Sequence, residues 1–72
     1  MIQFAITLDG DKKIYGDENS TINDEKMSPR YDSFKDFCFD EIFNHRGIVE
    51  IATSKGTYCF PSNRVICLAF YD

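Results

Sequence analysis

The chain has no tryptophan, a single histidine and only two prolines in 72 residues. It has no apolar run near the roughly 20 residues that a membrane-spanning helix needs, so no membrane span is expected. There is no CxxC pair, and His45 stands alone, so no zinc site of ordinary spacing can be written. No glycine-rich phosphate loop occurs. Asp9-Gly10-Asp11 looks like the start of a calcium loop, but the fit then fails. Lys13 falls on the fifth loop position, Ile14 on the required glycine and Ser20 on the final glutamate. Neither a metal nor a cofactor is expected.

Catalytic constellations are equally sparse. A cysteine or serine nucleophile would need a base, and His45 is the sole histidine. The adjacent carboxylates Asp17/Glu18, Asp24/Glu25 and Asp40/Glu41 read as solvated charge. So small a domain leaves little room for a pocket that shifts a pKa. The expectation is a protein that is not an enzyme.

Positive charge is also in short supply, with eight Lys and Arg against twelve Asp and Glu and a net charge of −4. That balance disfavours non-specific binding to nucleic acid or to anionic membranes, and suits a basic partner. Every acidic residue except Glu50 and Asp72 lies in the first 41 positions. The N-terminal part should therefore present a negative surface beside a nearly neutral remainder. The three cysteines, Cys38, Cys59 and Cys67, sit among apolar neighbours, and the first residues have no basic segment of a targeting signal. An odd count of buried-type thiols favours a reducing cytoplasm. The sequon Asn19-Ser20-Thr21 is expected to be idle there.

What the chain does have is aromatics, seven Phe and four Tyr, and clear periodicity. Aromatics bury much area each, which helps a core this small. Ile2, Phe4, Ile6 and Leu8 alternate with Gln3, Ala5, Thr7 and Asp9, which predicts a strand with one buried face. Asp9-Gly10-Asp11 turns the chain, and residues 12–15 return as a short edge strand guarded by Lys12 and Lys13. Residues 16–27 are polar and read as a long loop, with Ile22 and Met27 as anchors.

Ser28-Pro29 predicts a helix start, with Ser28 as cap and Pro29 in the first turn. The helix is expected over 28–46. Tyr31, Phe34, Phe37, Cys38, Ile42 and His45 fall on one side at 100° per residue. Gly47 is the stop, with His45 and Arg46 in the last turn. Phe39 and Phe43 lie off that side, flanked by Asp32, Asp36 and Asp40. One reading buries the helix on two sides or packs its wide aromatic face in a groove, since most aromatics are core. The other makes these five residues the candidate partner interface, since a pair of exposed phenylalanines usually marks a contact site.

Residues 48–71 read as a three-strand antiparallel meander: 48–53, 57–60 and 65–71. Lys55-Gly56 is taken as a two-residue turn, which places Thr53 opposite Tyr58 and Ile51 opposite Phe60. A five-residue loop then places Phe60 opposite Ile66. One face collects Val49, Ile51, Thr53, Tyr58, Phe60, Ile66, Leu68 and Phe70. The other is smaller but still apolar and brings Cys59 opposite Cys67. Such a second side must be covered by the helix or by another chain.

The order β-β-α-β-β-β implies a single α+β domain over 1–72. Its sheet should be small, twisted and mostly antiparallel, or partly rolled into a barrel, with one helix against it. The function expected is a small non-catalytic cytoplasmic protein-binding module. It would act as inhibitor or regulator of a protein partner with a basic surface, and could self-associate. A second expectation is single-stranded nucleic acid on the sheet, using Lys12, Lys13, Lys55 and Arg64 with Tyr15 and Tyr71. A third is a small molecule or nucleotide held between subunits.

Overall fold

The computed structural model describes residues 1–26, 28–44 and 47–72. The chain runs β1 (Gln3–Leu8), β2 (Lys13–Asp17), β3 (Thr21–Ile22), α1 (Phe34–Phe43), β4 (Ile48–Thr53), β5 (Gly56–Pro61) and β6 (Val65–Tyr71). This is the expected α+β class, but the strands form two antiparallel sheets rather than one. Their orders are β2-β1-β6 and β3-β4-β5, and neither closes into a barrel.

The period-two run at the N-terminus is a strand, and it is central. β1 pairs with β2 on one side and β6 on the other. That position explains why Phe4 and Ile6 are fully buried. Ile6 stands between Ile14 and Leu68, and Phe4 between Gly16 and Phe70. Gly16 is needed there, because an added Cβ would meet the Phe4 ring at 2.4 Å. β2 extends the expected return strand by two residues, to Asp17.

The meander is corrected at its last strand. β4 and β5 do form a hairpin, but β6 leaves it and pairs with β1. The cause lies in the connection. Proline ends β5, and Ser62–Arg64 winds into a 3-10 turn whose Ser62 amide donates to the Gly47 carbonyl at 2.9 Å. The chain is thereby held at the start of β4 and led across to the other sheet instead of doubling back. Cys59 and Cys67 consequently sit in different sheets, not opposite each other.

The hairpin register is also corrected. Thr53 faces Gly56, Ile51 faces Tyr58 and Val49 faces Phe60. Thr53 sets this turn, since its Oγ1 accepts from the Lys55 amide at 3.1 Å and donates to the Gly56 carbonyl at 3.3 Å. Gly56 takes φ +151° where the strand resumes. The slip is two residues, so the faces keep their membership. Val49, Ile51 and Phe60 point inward with Tyr58 packed against them, whereas Ile66 is expelled. It is the extra residue of a β-bulge, where β6 passes from Cys67 opposite Thr7 to Val65 opposite Leu8.

The polar stretch 16–27 is only partly a loop. Thr21–Ile22 pairs with Ala52 and Ile51 of β4, and Ile22 is fully buried as an anchor. Met27 lies outside the described residues, as do His45 and Arg46 of the expected last helical turn.

The helix is shorter than its sequence signals imply. Its cap is Ser33, whose hydroxyl accepts from the Asp36 amide at 3.2 Å, and not Ser28. Asn44 follows its last turn, so it ends before Gly47. Two candidate caps compete, and tertiary contact decides. The Tyr31 hydroxyl donates to Asp40 Oδ2 at 2.8 Å. In one continuous helix these residues would be about 13 Å apart along the axis, beyond that reach. Tyr31 must instead fold back along α1, and its ring packs edge-on to Phe37 at 5.3 Å. The helix lies against the bulky face of the sheets. Phe34, Phe37, Cys38 and Ile42 join Phe4, Ile6, Ile22, Val49, Ile51 and Phe60 in one core. The smaller sheet face is left uncovered, with Cys59, Cys67 and Ile48 exposed.

Candidate functional site

The outer side of α1 carries the site. Side chains spaced by three or four residues on a helix are surface neighbours. Asp36, Phe39, Asp40 and Phe43 therefore project together away from the core. Phe39 is 58% exposed and Phe43 39%. Their rings lie 5.1 Å apart, tilted by 50°.

Beside them is a shallow depression of about 660 Å³ lined by Arg30, Tyr31, Asp36, Phe39, Asp40 and Asn44. Three of the five expected interface residues, Asp36, Phe39 and Asp40, line it. Phe43 adjoins it through Phe39. Asp32, in the bend before the helix, is exposed and does not line it.

The floor of the depression is a polar network. Arg30 Nη2 donates to the Tyr31 hydroxyl at 2.9 Å and lies 3.3 Å from Glu25 and 3.7 Å from Glu41. The guanidinium also stacks over the Tyr31 ring at 4.9 Å. The Tyr31 oxygen lies 2.8 Å from Asp40 and 3.1 Å from Glu41, and one hydroxyl proton serves both carboxylates. Asn44 Nδ2 donates to Asp40 Oδ1 at 2.7 Å.

Glu41 is 1% exposed. Burying a carboxylate is costly unless it is partnered. Asn23 Nδ2 donates to Glu41 Oε1 at 3.3 Å and to its carbonyl at 3.0 Å. Asn23 in turn bonds both backbone groups of Glu50, through its own amide at 2.7 Å and its Oδ1 at 3.1 Å. The network thus ties α1 to β4 and holds the depression's floor in place.

The hydrogen bond to Asp40 holds the Tyr31 phenol in its neutral form, with burial and Glu41 adding to it, and its pKa is pushed up to about 12. The hydroxyl is a fixed donor at neutral pH. Arg30 is held above its ordinary value, first by its bond to Tyr31 and then by the neighbouring carboxylates. The Cys38 thiol is buried, which raises it to about 12 and leaves it inert as a nucleophile. Cys59 and Cys67 are exposed and free. Among the described residues no group of three or more His, Cys, Asp or Glu could hold a metal ion. No helix there is long and apolar enough to cross a membrane.

A second cleft of about 320 Å³ separates the two sheets at one end and includes Tyr15, Tyr71, Lys55, Asp17 and Ser20 in its lining. It gathers two of the rings and one of the lysines expected for nucleic acid. Arg64 is elsewhere, paired with Asp9 at 3.3 Å. The cleft's single lysine is offset by Asp17, so it is not a basic groove.

Sequence reasoning missed Arg30, Tyr31 and Asn44. Asn44 was within reach, since Asp40 and Asn44 stand at the i, i+4 spacing of a side-chain pair. Arg30 and Tyr31 carried no such signal, because they join the site only when 28–33 folds back. No family model, no curated protein and no solved structure matches this chain. The functional reading therefore stands on the geometry.

Proposed function

We propose that this chain is a non-catalytic protein-binding module, an inhibitor or regulator, that receives a basic side chain of a partner protein in the depression on α1. The observation that carries this reading is Phe39, more than half exposed and set between the Asp36 and Asp40 carboxylates above a pre-formed polar floor. A ring face beside carboxylates is a receptor for Arg or Lys. The carboxylates supply the charge, and the ring adds a cation–π contact of about 0.5–2 kcal/mol. Two carboxylates against the one Arg30 guanidinium leave the depression net negative. The acidic N-terminal part would steer a basic partner to it and speed encounter. The exposed free thiols Cys59 and Cys67 suit a reducing compartment, and we place the module in the cytoplasm.

The test compares wild type with Phe39→Ala and Asp36→Asn in affinity capture from a host lysate, followed by crosslinking to locate the contact. Each variant should lose about tenfold or more of the recovered partner, as truncated aromatic anchors do. Unchanged recovery with both variants would remove the depression from consideration. Salt-sensitive binding of an oligonucleotide at the Tyr15–Tyr71 cleft would replace this reading by the nucleic-acid one.

A further inference from the structure

We infer that the cation selected by the α1 depression is arginine rather than lysine, with the Phe39 ring and the Asp36 carboxylate as the selecting pair. This rests on the basic-side-chain reading above and narrows it to one residue type. The molecule carries an internal precedent. Arg30 lies over the Tyr31 ring at 4.9 Å, while its Nη2 donates to the Tyr31 hydroxyl and reaches Glu25 and Glu41 at 3.3 and 3.7 Å. A guanidinium there covers a ring and meets carboxylates at its edge. Asp36 and Phe39 repeat that pairing of carboxylate and ring, three residues apart on one face of α1.

Both members of the pair are accessible to an added cation. Among the described residues no hydrogen bond or ion pair engages the Asp36 carboxylate, and only its backbone amide is used, as donor to the Ser33 hydroxyl. The cations that lie over rings are Arg30, over Tyr31, and Lys35, over Phe70. Phe43, tilted against the Phe39 ring at 5.1 Å, supports it. Asp40, one turn beyond Asp36, is held in place by Tyr31 and Asn44. Arg30 does not oppose a second cation, because Glu25 and Glu41 already match its charge.

The shape of the site decides between the two cations. The depression is shallow and Phe39 is 58% exposed, so a bound cation keeps water on its outer side. A lysine ammonium is a compact, strongly hydrated point charge. To touch the ring it must shed water that one exposed ring face does not replace. A guanidinium is planar and more weakly hydrated. Its face can lie on a ring while its N–H groups, all in its plane, go on bonding a carboxylate at the side. Asp36 stands at that side of Phe39, and a carboxylate can accept two parallel N–H bonds from arginine. Arginine thus satisfies ring and carboxylate together, whereas lysine satisfies one at the expense of the other.

An NMR titration of the full chain at low salt tests this. The probes are short peptides identical except for one central residue, which is arginine, lysine or citrulline. Citrulline keeps the planar shape and loses the charge. The arginine peptide should shift the amides of residues 36–43. It should bind about two- to fivefold more tightly than the lysine peptide, the size of one exposed cation–ring contact. The citrulline peptide should not bind. Phe39→Leu keeps an apolar side chain without the ring, and should bring the arginine peptide down to the lysine level. Asp36→Asn should weaken the arginine peptide by about two- to fivefold, as loss of an exposed ion pair does. Lysine equal to arginine, or a preference that survives Phe39→Leu, would overturn the inference and leave the basic-side-chain reading standing. If neither charged peptide moves these amides, or if citrulline matches arginine, both fall.

Discussion

Phe34 and Phe37 on one face of α1 are 4% and 0% exposed, whereas Phe39 and Phe43 on the other are 58% and 39% exposed. The residue type is the same and the outcome is opposite. The inner rings reach across to the sheet β2-β1-β6 and to the preceding bend, with Phe34 at 6.0 Å from Phe4 and 6.3 Å from Phe70, and Phe37 at 5.3 Å from Tyr31. The outer rings meet each other. Burial of apolar area stabilises by about 25 cal/mol per Å². The inner face realises that on folding, and the outer face does not. Position on the helix, not hydrophobicity, buries one aromatic pair and leaves the other exposed.

The largest expected effect tests the inner half of this contrast. Phe37→Ala should destabilise the fold by about 3–5 kcal/mol, through lost transfer energy and the cavity left behind. So small a domain has little margin, and the variant should be largely unfolded by circular dichroism at 25 °C. A cooperative melt close to that of wild type would mean that the inner face is not the core.

That 39 and 43 lie on a different side of the helix from 34, 37, 38 and 42 was readable from 100° periodicity. Their exposure was not, because a helix buried on two sides has the same spacing. β1 was readable too, since its alternation needs no partner to be recognised. The non-local choices were not. β6 alternates in a way that suits β5 or β1 equally, and only the 3-10 turn at Ser62–Arg64 and its bond to Gly47 decide between them. Ser28 and Ser33 both offer a helix cap, and the reach of Tyr31 to Asp40 settles which is used. The depression stayed hidden for the same reason. Two of its six lining residues, Arg30 and Tyr31, owe their place to that fold-back.

Ser33→Ala sharpens the helix boundary at the next scale. It should cost about 1 kcal/mol by chemical denaturation, the usual value of a lost cap, and Ser28→Ala much less. The reverse ranking would restore the longer helix. A pH titration probes the floor beneath the outer face. The folded Tyr31 pKa of about 12 lies above the ordinary 10.0, so its neutral form is favoured by folding. Its contribution is complete below pH 10 and is lost as pH rises through 12. Tyr31→Phe should remove that alkaline loss. The phenolate absorbance of wild type should show one tyrosine ionising later than the ordinary 10.0. A Tyr31→Phe melt with the same alkaline fall as wild type would show that the hydroxyl is not held by Asp40 and Glu41.

The smallest expected effect tests the outer half. Phe39→Ala removes a ring that is mostly in water, so stability should stay within about 0.5 kcal/mol of wild type. The measurement is a denaturant melt of the same protein used for partner capture. Intact stability with lost capture separates contact from folding in one variant, which Phe37→Ala cannot do. A loss of several kcal/mol would mean that Phe39 belongs to the core after all. The two faces of α1 would then differ in degree rather than in role, and the depression would lose its anchor.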